Sequence, residues 1–245
     1  MALPKFEHPM FEVVVPSTKQ KIYVRPYTTK QAKILYMMAE STSFEELIKN
    51  IQALVQSCIV QPENYQVGKM TSFDLQYVFL QIRAITVGER VELKYKCQNV
   101  VNDEVCNHEN DVMINFKEVT VKFDESAKQE IVFEFGNMGV KMRYPRVENI
   151  DFLQEIVQKQ SNDFDGIIRI IVKDIEYIFD ETTKYSDFTE DEALEFLTAL
   201  PLNDFQKILD FYNNLPTLYY EYPFKCIKCG YEETLVYTSL FDFFV

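Results

Sequence analysis

Four of the five cysteines form two pairs whose spacing is suited to binding a metal ion. Cys97 and Cys106 lie in the middle of the chain, and Cys226 and Cys229 lie near its end, directly before Gly230. Each pair is flanked by stretches in which apolar and polar residues alternate, which predicts a β-hairpin with the cysteines at its tip. Two tips facing each other would offer four thiolates to a tetrahedral metal, and zinc fits that ligand set best.

The two pairs differ in spacing. Two residues separate Cys226 from Cys229, and Gly230 tolerates the positive φ that such a thiolate turn requires. Eight residues separate Cys97 from Cys106, a wide interval that we interpret as an exposed polar loop. His108 is close enough in sequence to replace Cys106 as a ligand, which stays open as a variant. A further alternative is that the cysteines are small apolar residues, as we expect for Cys58 on the apolar stripe of a predicted helix.

A site closed by four thiolates has no open position for water, so we expect a structural zinc rather than a catalytic one. Other catalytic signatures are scarce. The chain has two histidines, His8 and His108, and contains no P-loop, no glycine-rich dinucleotide turn and no H-E-x-x-H motif. Its acidic clusters lie in the first turns of predicted helices, where carboxylates interact favourably with the helix dipole. A hydrolase that uses buried carboxylates remains an alternative hypothesis.

The apolar patterns predict an α+β fold, because helices and strands occur in separate blocks. We expect a hairpin over residues 11–25, three helices up to Gly88, strands on both sides of Cys97 and Cys106, and strands at 118–123, 130–135 and 140–144. The capping-box patterns Ser43-Phe-Glu-Glu46 and Thr189-Glu-Asp-Glu192 each predict the start of a helix. Residues 149–214 are predicted to be helical, with a last helix capped by Asn203 and an isoleucine stripe at Ile167, Ile168, Ile171, Ile175 and Ile178. Strands flank the second cysteine pair. This pattern divides the chain into 1–90, a zinc-ribbon-like element made of 91–117 and 217–245, and an insert over 118–216.

Composition restricts the possible partners. The formal net charge of −13 over 245 residues disfavours a zinc-ribbon nucleic-acid-binding protein, because contacts to phosphates need clustered lysine and arginine. No apolar run approaches the roughly 20 residues of a membrane span, and the amino terminus lacks the apolar core of a signal peptide. We therefore expect an intracellular protein.

The carboxy terminus is rich in apolar residues and has two interpretations. The segment either completes the core beside the second cysteine hairpin or forms an apolar tail that docks into a partner. The residues concerned are Leu240, Phe241, Phe243, Phe244 and Val245.

Two segments resemble a known protein family. Residues 22–30 (IYVRPYTTK) and 70–89 (MTSFDLQYVFLQIRAITVGE) are similar to the opening hairpin and a helix end in baseplate hub proteins of T4-like contractile-tailed phages. The paired cysteines also resemble those of some members. The resemblance is clearest over residues 11–97.

This resemblance implies a late viral protein that helps to build the central hub of the tail baseplate, as a hub subunit or as an assembly-promoting factor. Its expected partners are other hub and tail proteins, with a homo-oligomer also possible. Its expected location is the host cytoplasm during assembly and the virion tail. The helix over 71–88 is apolar almost all round, so this chain or a partner must cover it. Candidate interaction residues are Phe73, Tyr77, Leu80, Arg83, Phe241, Phe243 and Phe244.

Overall fold

The computed structural model describes residues 6–33, 44–123, 131–149 and 164–243. Its α-helices are Phe44–Cys58, Ser72–Val87, Phe164–Lys173, Glu190–Thr198 and Leu202–Asn213, and residues 29–33 are also helical. The strands are β1 (Phe11–Val14), β2 (Lys21–Val24), β3 (Ile59–Gln61), β4 (Arg90–Lys96), β5 (Val100–Val101), β6 (Glu104–Val105), β7 (Glu109–Asn115), β8 (Thr120–Lys122), β9 (Ile131–Phe135), β10 (Met138–Met142), β11 (Ile175–Asp180), β12 (Lys184–Tyr185), β13 (Thr217–Lys225) and β14 (Glu232–Tyr237).

All strand pairs among the described residues are antiparallel, and the predicted α+β class is confirmed. The sheets have the orders β1-β2-β3, β12-β11-β10-β9 and β14-β13-β8, together with the hairpins β4-β7 and β5-β6. Strand β8 joins the start of β13, with Val121 opposite Leu218. The predicted insert over 118–216 thus contributes a strand to the sheet of the second cysteine hairpin, and the three-part division of the chain stays a prediction.

The Ser72–Val87 helix lies at the centre of the larger core. Thr71 caps it by accepting a hydrogen bond from the Asp74 N–H at 3.1 Å, and Gly88, with φ of 114°, ends it. Apolar side chains on most of its circumference are buried, and they share one core with residues of both hairpins that bear the cysteines, of β1 to β3 and of the Phe44–Cys58 helix. Each fully buried leucine, isoleucine or valine contributes about 1.5–3 kcal/mol to folding, so this helix holds the surrounding sheets together.

A smaller core lies between the β9 to β12 sheet and the helices Phe164–Lys173, Glu190–Thr198 and Leu202–Asn213. Here one prediction is wrong: Ile175 and Ile178 are in strand β11, not on a helix. The helix ends at Lys173, and Val140 in β10 pairs with Ile178. Isoleucines three and four residues apart imitate a helical stripe, but the β-branched and aromatic run from Ile175 favours a strand once a neighbouring edge is available.

The helix termini were predicted with mixed success. Thr189 and Glu192 form the predicted capping box of the Glu190–Thr198 helix. Asn203 does not cap the last helix, because that helix starts at Leu202 and has Pro201 at its N-cap. Pro201 has no side-chain acceptor, and its carbonyl instead accepts hydrogen bonds from the Asp204 and Phe205 N–H groups at 2.9 and 3.0 Å. Ser43, the predicted cap of the second helix, lies outside the described residues.

An aromatic chain connects the two cores. The Tyr144 ring packs edge-on against Phe73 at 5.3 Å between centroids and stacks on Phe211 at 5.7 Å. Phe73 belongs to the central helix of the larger core, and Phe211 belongs to the Leu202–Asn213 helix. Backbone contacts reinforce this junction, since the Val147 N–H donates to the Met70 carbonyl at 2.8 Å.

Asp174 is a buried carboxylate at the edge of the smaller core. Its side chain is 1% exposed, and its Oδ2 accepts a hydrogen bond from the Tyr212 hydroxyl at 2.9 Å. Burial raises the pKa of Asp174 to about 6, although the Tyr212 hydrogen bond and the Arg143 charge act in the opposite direction. The folded state therefore binds this proton more tightly than the unfolded state does.

We predict that Asp174→Asn changes how the free energy of unfolding depends on pH. Because the pKa is raised from 3.8 to about 6, the stability that protonated Asp174 contributes is full below pH 4 and is lost as the pH rises to 6. Asparagine imitates the neutral carboxyl, so the variant should gain about 2 kcal/mol relative to the wild type between pH 4 and pH 7. Urea unfolding across this range measures the difference, with the exposed Asp187→Asn as control. A constant difference between Asp174→Asn and the wild type would contradict the prediction.

Candidate metal centre

Two long β-hairpins bring the cysteine pairs to their tips. In the first, β4 and β7 pair up to Lys96 opposite Glu109, and Cys97 follows directly. In the second, β13 and β14 pair up to Lys225 opposite Glu232, and Cys226 follows directly. The alternation of apolar and polar residues in these strands buries Val112, Ile114, Leu218 and Phe224 between the hairpins, so the two stems face each other. The predicted hairpin setting of both pairs is confirmed.

The two cysteine turns share one hydrogen-bond pattern despite their different lengths. The Gly230 N–H donates to the Cys226 carbonyl at 2.9 Å, and the Asn107 N–H donates to the Cys97 carbonyl at 3.0 Å. The Cys226 N–H donates to the Tyr231 carbonyl, just as the Cys97 N–H donates to the His108 carbonyl. Gly230 and Asn107 both have positive φ, at 74° and 47°. The residue after the second cysteine of each pair therefore reverses the chain, and asparagine is among the few non-glycine residues that do so readily.

A small hairpin accounts for the wide spacing of the first pair. Val100 and Val101 in β5 pair with Val105 and Glu104 in β6, and Asn102 and Asp103 form the connecting turn with positive φ. The Cys106 N–H donates to the Asn99 carbonyl at 2.7 Å and closes the base of this hairpin. The extra residues project away as a separate ribbon, which leaves the two cysteines in the same relation as Cys226 and Cys229.

The four sulfur atoms converge. Cys97 Sγ lies 3.7 Å from Cys229 Sγ, Cys106 Sγ lies 3.9 Å from Cys226 Sγ, and all four atoms lie within 4.8 Å of one another. A tetrahedral metal with bonds of about 2.3 Å to sulfur separates its ligand atoms by about 3.8 Å. The cluster therefore has the dimensions of a four-coordinate thiolate site and could bind a metal ion.

The side chains around the cluster fix how the two hairpins pack. The Tyr95 ring packs edge-on against Phe224 at 4.8 Å between centroids, and its hydroxyl donates to Glu233 Oε1 at 3.0 Å. Cys97 and Cys226 are buried, and Cys106 and Cys229 are half-buried. The site thus lies at the edge of the larger core, where the packing of the hairpins holds the four cysteines close together.

The thiols differ in acidity. Burial raises the pKa of Cys97 to about 12. Burial also acts on Cys226, but hydrogen bonds from the backbone N–H groups of Cys229 and Lys228 outweigh it and lower the Cys226 pKa to about 6. Adjacent thiolates repel one another in a buried site, so the protein alone favours a single thiolate. A cation would remove that repulsion and allow all four to ionise.

Two asparagines lie near the cluster that the cysteine spacing does not predict. Asn110 is 4% exposed, and its side chain contacts Cys226 Sγ at 3.7 Å and the backbone of both cysteine turns. Asn99 contacts Cys229 Sγ at 3.8 Å. A polar residue at a position where the strand alternation requires a buried side chain was the available signal for Asn110. His108 is not a member of the described metal-binding group, and its carbonyl instead closes the first cysteine turn.

The candidate interaction residues of the central helix lie in two environments. Phe73 and Leu80 are buried within this chain, at 2% and 0% exposure. Tyr77 and Arg83 are half-buried, and the Arg83 guanidinium lies 5.4 Å from the centroid of the Phe116 ring. The chain itself therefore covers most of this helix.

The carboxy-terminal segment returns to the core. Leu240 and Phe243 are buried, and the Phe243 ring packs 6.1 Å from Phe116 and 5.7 Å from Tyr237. Asp242 holds this turn by accepting hydrogen bonds from the Thr238 and Ser239 N–H groups at 2.8 Å. Leu240 and Phe243 thus complete the core beside the second cysteine hairpin, as the first of the two interpretations predicts. Phe244 and Val245 lie outside the described residues, and the Phe241 side chain is likewise outside them.

Buried carboxylates, the requirement of the hydrolase alternative, occur at two separate places in the described part of the chain. Asp74 accepts hydrogen bonds from the backbone and side chain of Ser17, and Asp174 accepts one from Tyr212. Each carboxylate thus has a structural partner, one in each core. None of the described helices has the length and apolar character needed to cross a membrane.

The sequence matches one protein-family model over nearly its whole length. The family model described as T4 bacteriophage base plate protein matches residues 8–245, which include both hairpins, both cores and all four clustered cysteines. No curated protein and no solved structure gave a significant match. Because the family model covers nearly the entire sequence, the chain belongs to the T4 bacteriophage base plate protein family.

Proposed function

We propose that this protein is a component of the phage baseplate hub, structural or assembly-promoting, that acts by binding other hub and tail proteins. The observation that carries the proposal is the family match over residues 8–245. The role requires a stable surface rather than a reaction centre, and the fold supports it with two aromatic-rich cores joined by Tyr144. The expected sites of action are the host cytoplasm during assembly and the tail of the virion.

We further propose that Cys97, Cys106, Cys226 and Cys229 hold one structural zinc ion. The sulfur separations of 3.7 and 3.9 Å match tetrahedral thiolate coordination, and a four-sulfur ligand set is typical of zinc. When bound, zinc would neutralise the thiolates and crosslink two hairpins that are far apart in the sequence. Its chemistry there is structural, because four protein ligands leave no coordination position for a substrate.

Purified protein should contain about one zinc per chain. Because the cluster dimensions suit four thiolate ligands, Cys58 should be the one thiol that is not protected by metal, although its burial also slows its reaction. Elemental analysis measures the stoichiometry, and thiol titration before and after chelation measures the protection. Less than about half an equivalent of zinc, together with four freely titratable thiols, would exclude the zinc proposal.

Cys226→Ser should loosen both hairpins and the carboxy-terminal half of the chain, because the binding energy of a structural metal is also folding energy. We expect the melting temperature to fall by about 10 °C or more. At about 2–4 °C per kcal/mol in a chain of this length, this fall corresponds to a loss of about 3–5 kcal/mol in the free energy of unfolding. Limited proteolysis should show new cleavage sites after residue 90. The matched control is Cys58→Ala, which removes a buried thiol outside the cluster and should retain the zinc. Identical cleavage patterns for Cys226→Ser and the wild type would contradict the prediction.

The zinc-loaded protein should form a stable complex with at least one other hub protein of the same phage. Co-expression followed by affinity purification tests this, with Cys58→Ala expected to bind as the wild type does. Cys226→Ser should bind less, because the two hairpins no longer hold a fixed arrangement. Failure with every hub protein would overturn the proposal. Salt-sensitive binding to DNA or RNA in a gel shift would instead support the nucleic-acid-binding alternative.

A further inference from the structure

We propose that Asn110 is a positioning residue that couples the two cysteine turns and controls how long the metal stays bound. This inference rests on the proposed structural metal site. It concerns the carboxamide of Asn110, which lies in β7 and has an exposed fraction of 4%.

The Asn110 side chain contacts both turns at once. Its Nδ2 donates to the His108 carbonyl at 2.8 Å and to Cys226 Sγ at 3.7 Å, and its Oδ1 accepts from the Ile227 N–H at 2.9 Å. His108 belongs to the first turn, where its carbonyl also receives the Cys97 N–H. Cys226 and Ile227 belong to the second turn. One amide therefore joins the exit of the first turn to the entrance of the second.

These contacts use the full chemistry of a primary amide. Both N–H donors and the carbonyl acceptor have partners, so the polar group is buried at little cost. Leucine at this position would remove all three contacts and leave the Ile227 N–H without its side-chain acceptor. Aspartate would keep the contact to Ile227 but lose both donors, and it would place a negative charge beside the thiolates.

The donor contact to Cys226 is the one that bears on the metal. A hydrogen bond to a ligating sulfur orients it and withdraws part of its charge, and loss of such a supporting contact typically weakens metal binding about 10–100-fold. Asn99, which lies within the first turn, makes a comparable contact to Cys229 Sγ at 3.8 Å, but it is less buried than Asn110. Asn110 is therefore expected to have the larger effect.

The experiment measures zinc transfer from the purified, folded protein to a coloured chelator. Asn110→Asp and Asn110→Leu should release zinc at least about tenfold faster than the wild type. The matched controls are Asn115→Asp and Asn115→Leu on the same strand, since Asn115 bonds to Glu118 and Lys117 away from the cluster. These controls should release zinc at the wild-type rate. Circular dichroism checks that each variant folds. If Asn110→Leu does not fold, the comparison of zinc release uses Asn110→Asp alone.

A second measurement separates a contact to sulfur from a general loss of stability. With cobalt in place of zinc, the sulfur-to-cobalt charge-transfer band should move to lower energy in both Asn110 variants and stay unchanged in the Asn115 variants. One bound zinc in the wild type with wild-type release rates and spectra in both Asn110 variants would overturn this inference and leave the proposed function intact. A wild-type protein that binds neither metal would overturn the metal proposal itself.

Discussion

The packing of two β-hairpins against each other is the constraint on which the site depends. Neither cysteine pair supplies enough ligands alone, and the pairs come from opposite ends of a long sequence interval. Burial of Phe224 and Ile114 between the stems, with the Tyr95 ring against Phe224, brings the four sulfur atoms within 4.8 Å of one another. Burial of apolar surface thus brings the four sulfur atoms together. A bound metal would add a crosslink at the place where the hairpins leave the core.

The same hairpins also organise the rest of the larger core. The Ser72–Val87 helix packs beneath them, and the carboxy-terminal turn fills the remaining space with Phe243 between Phe116 and Tyr237. The chain enters the smaller core and returns to β13, where β8 pairs with the start of that strand. Loosening the cysteine turns should therefore spread beyond a single loop, because β13 belongs both to the second cysteine hairpin and to this sheet.

The packing of the two hairpins on the central helix gives this baseplate-family protein a surface of fixed shape. The central helix, whose sequence resembles the hub family, mostly faces the interior of this chain. Its apolar residues therefore mainly stabilise the fold rather than form an interface. Phe73 illustrates this, because its ring contacts Tyr144 and connects the two cores. The role proposed above, in which a rigid shape is presented to other proteins, rests on the family membership and on this packing.

The sequence by itself determined the local elements and the four thiols of the candidate site. Period-2 alternation located the hairpins around the cysteines, and capping residues located the ends of the Ser72–Val87 and Glu190–Thr198 helices, because these signals act over a few residues. Tertiary structure decided what depends on distant partners. Ile175 and Ile178 became a strand because β10 offered an edge, and Phe73 and Leu80 became core because the chain covers them. The role of Asn110 also appeared only in three dimensions. Its polar side chain at a buried strand position is a local signal, but its partners Cys226 and Ile227 lie far away in the sequence.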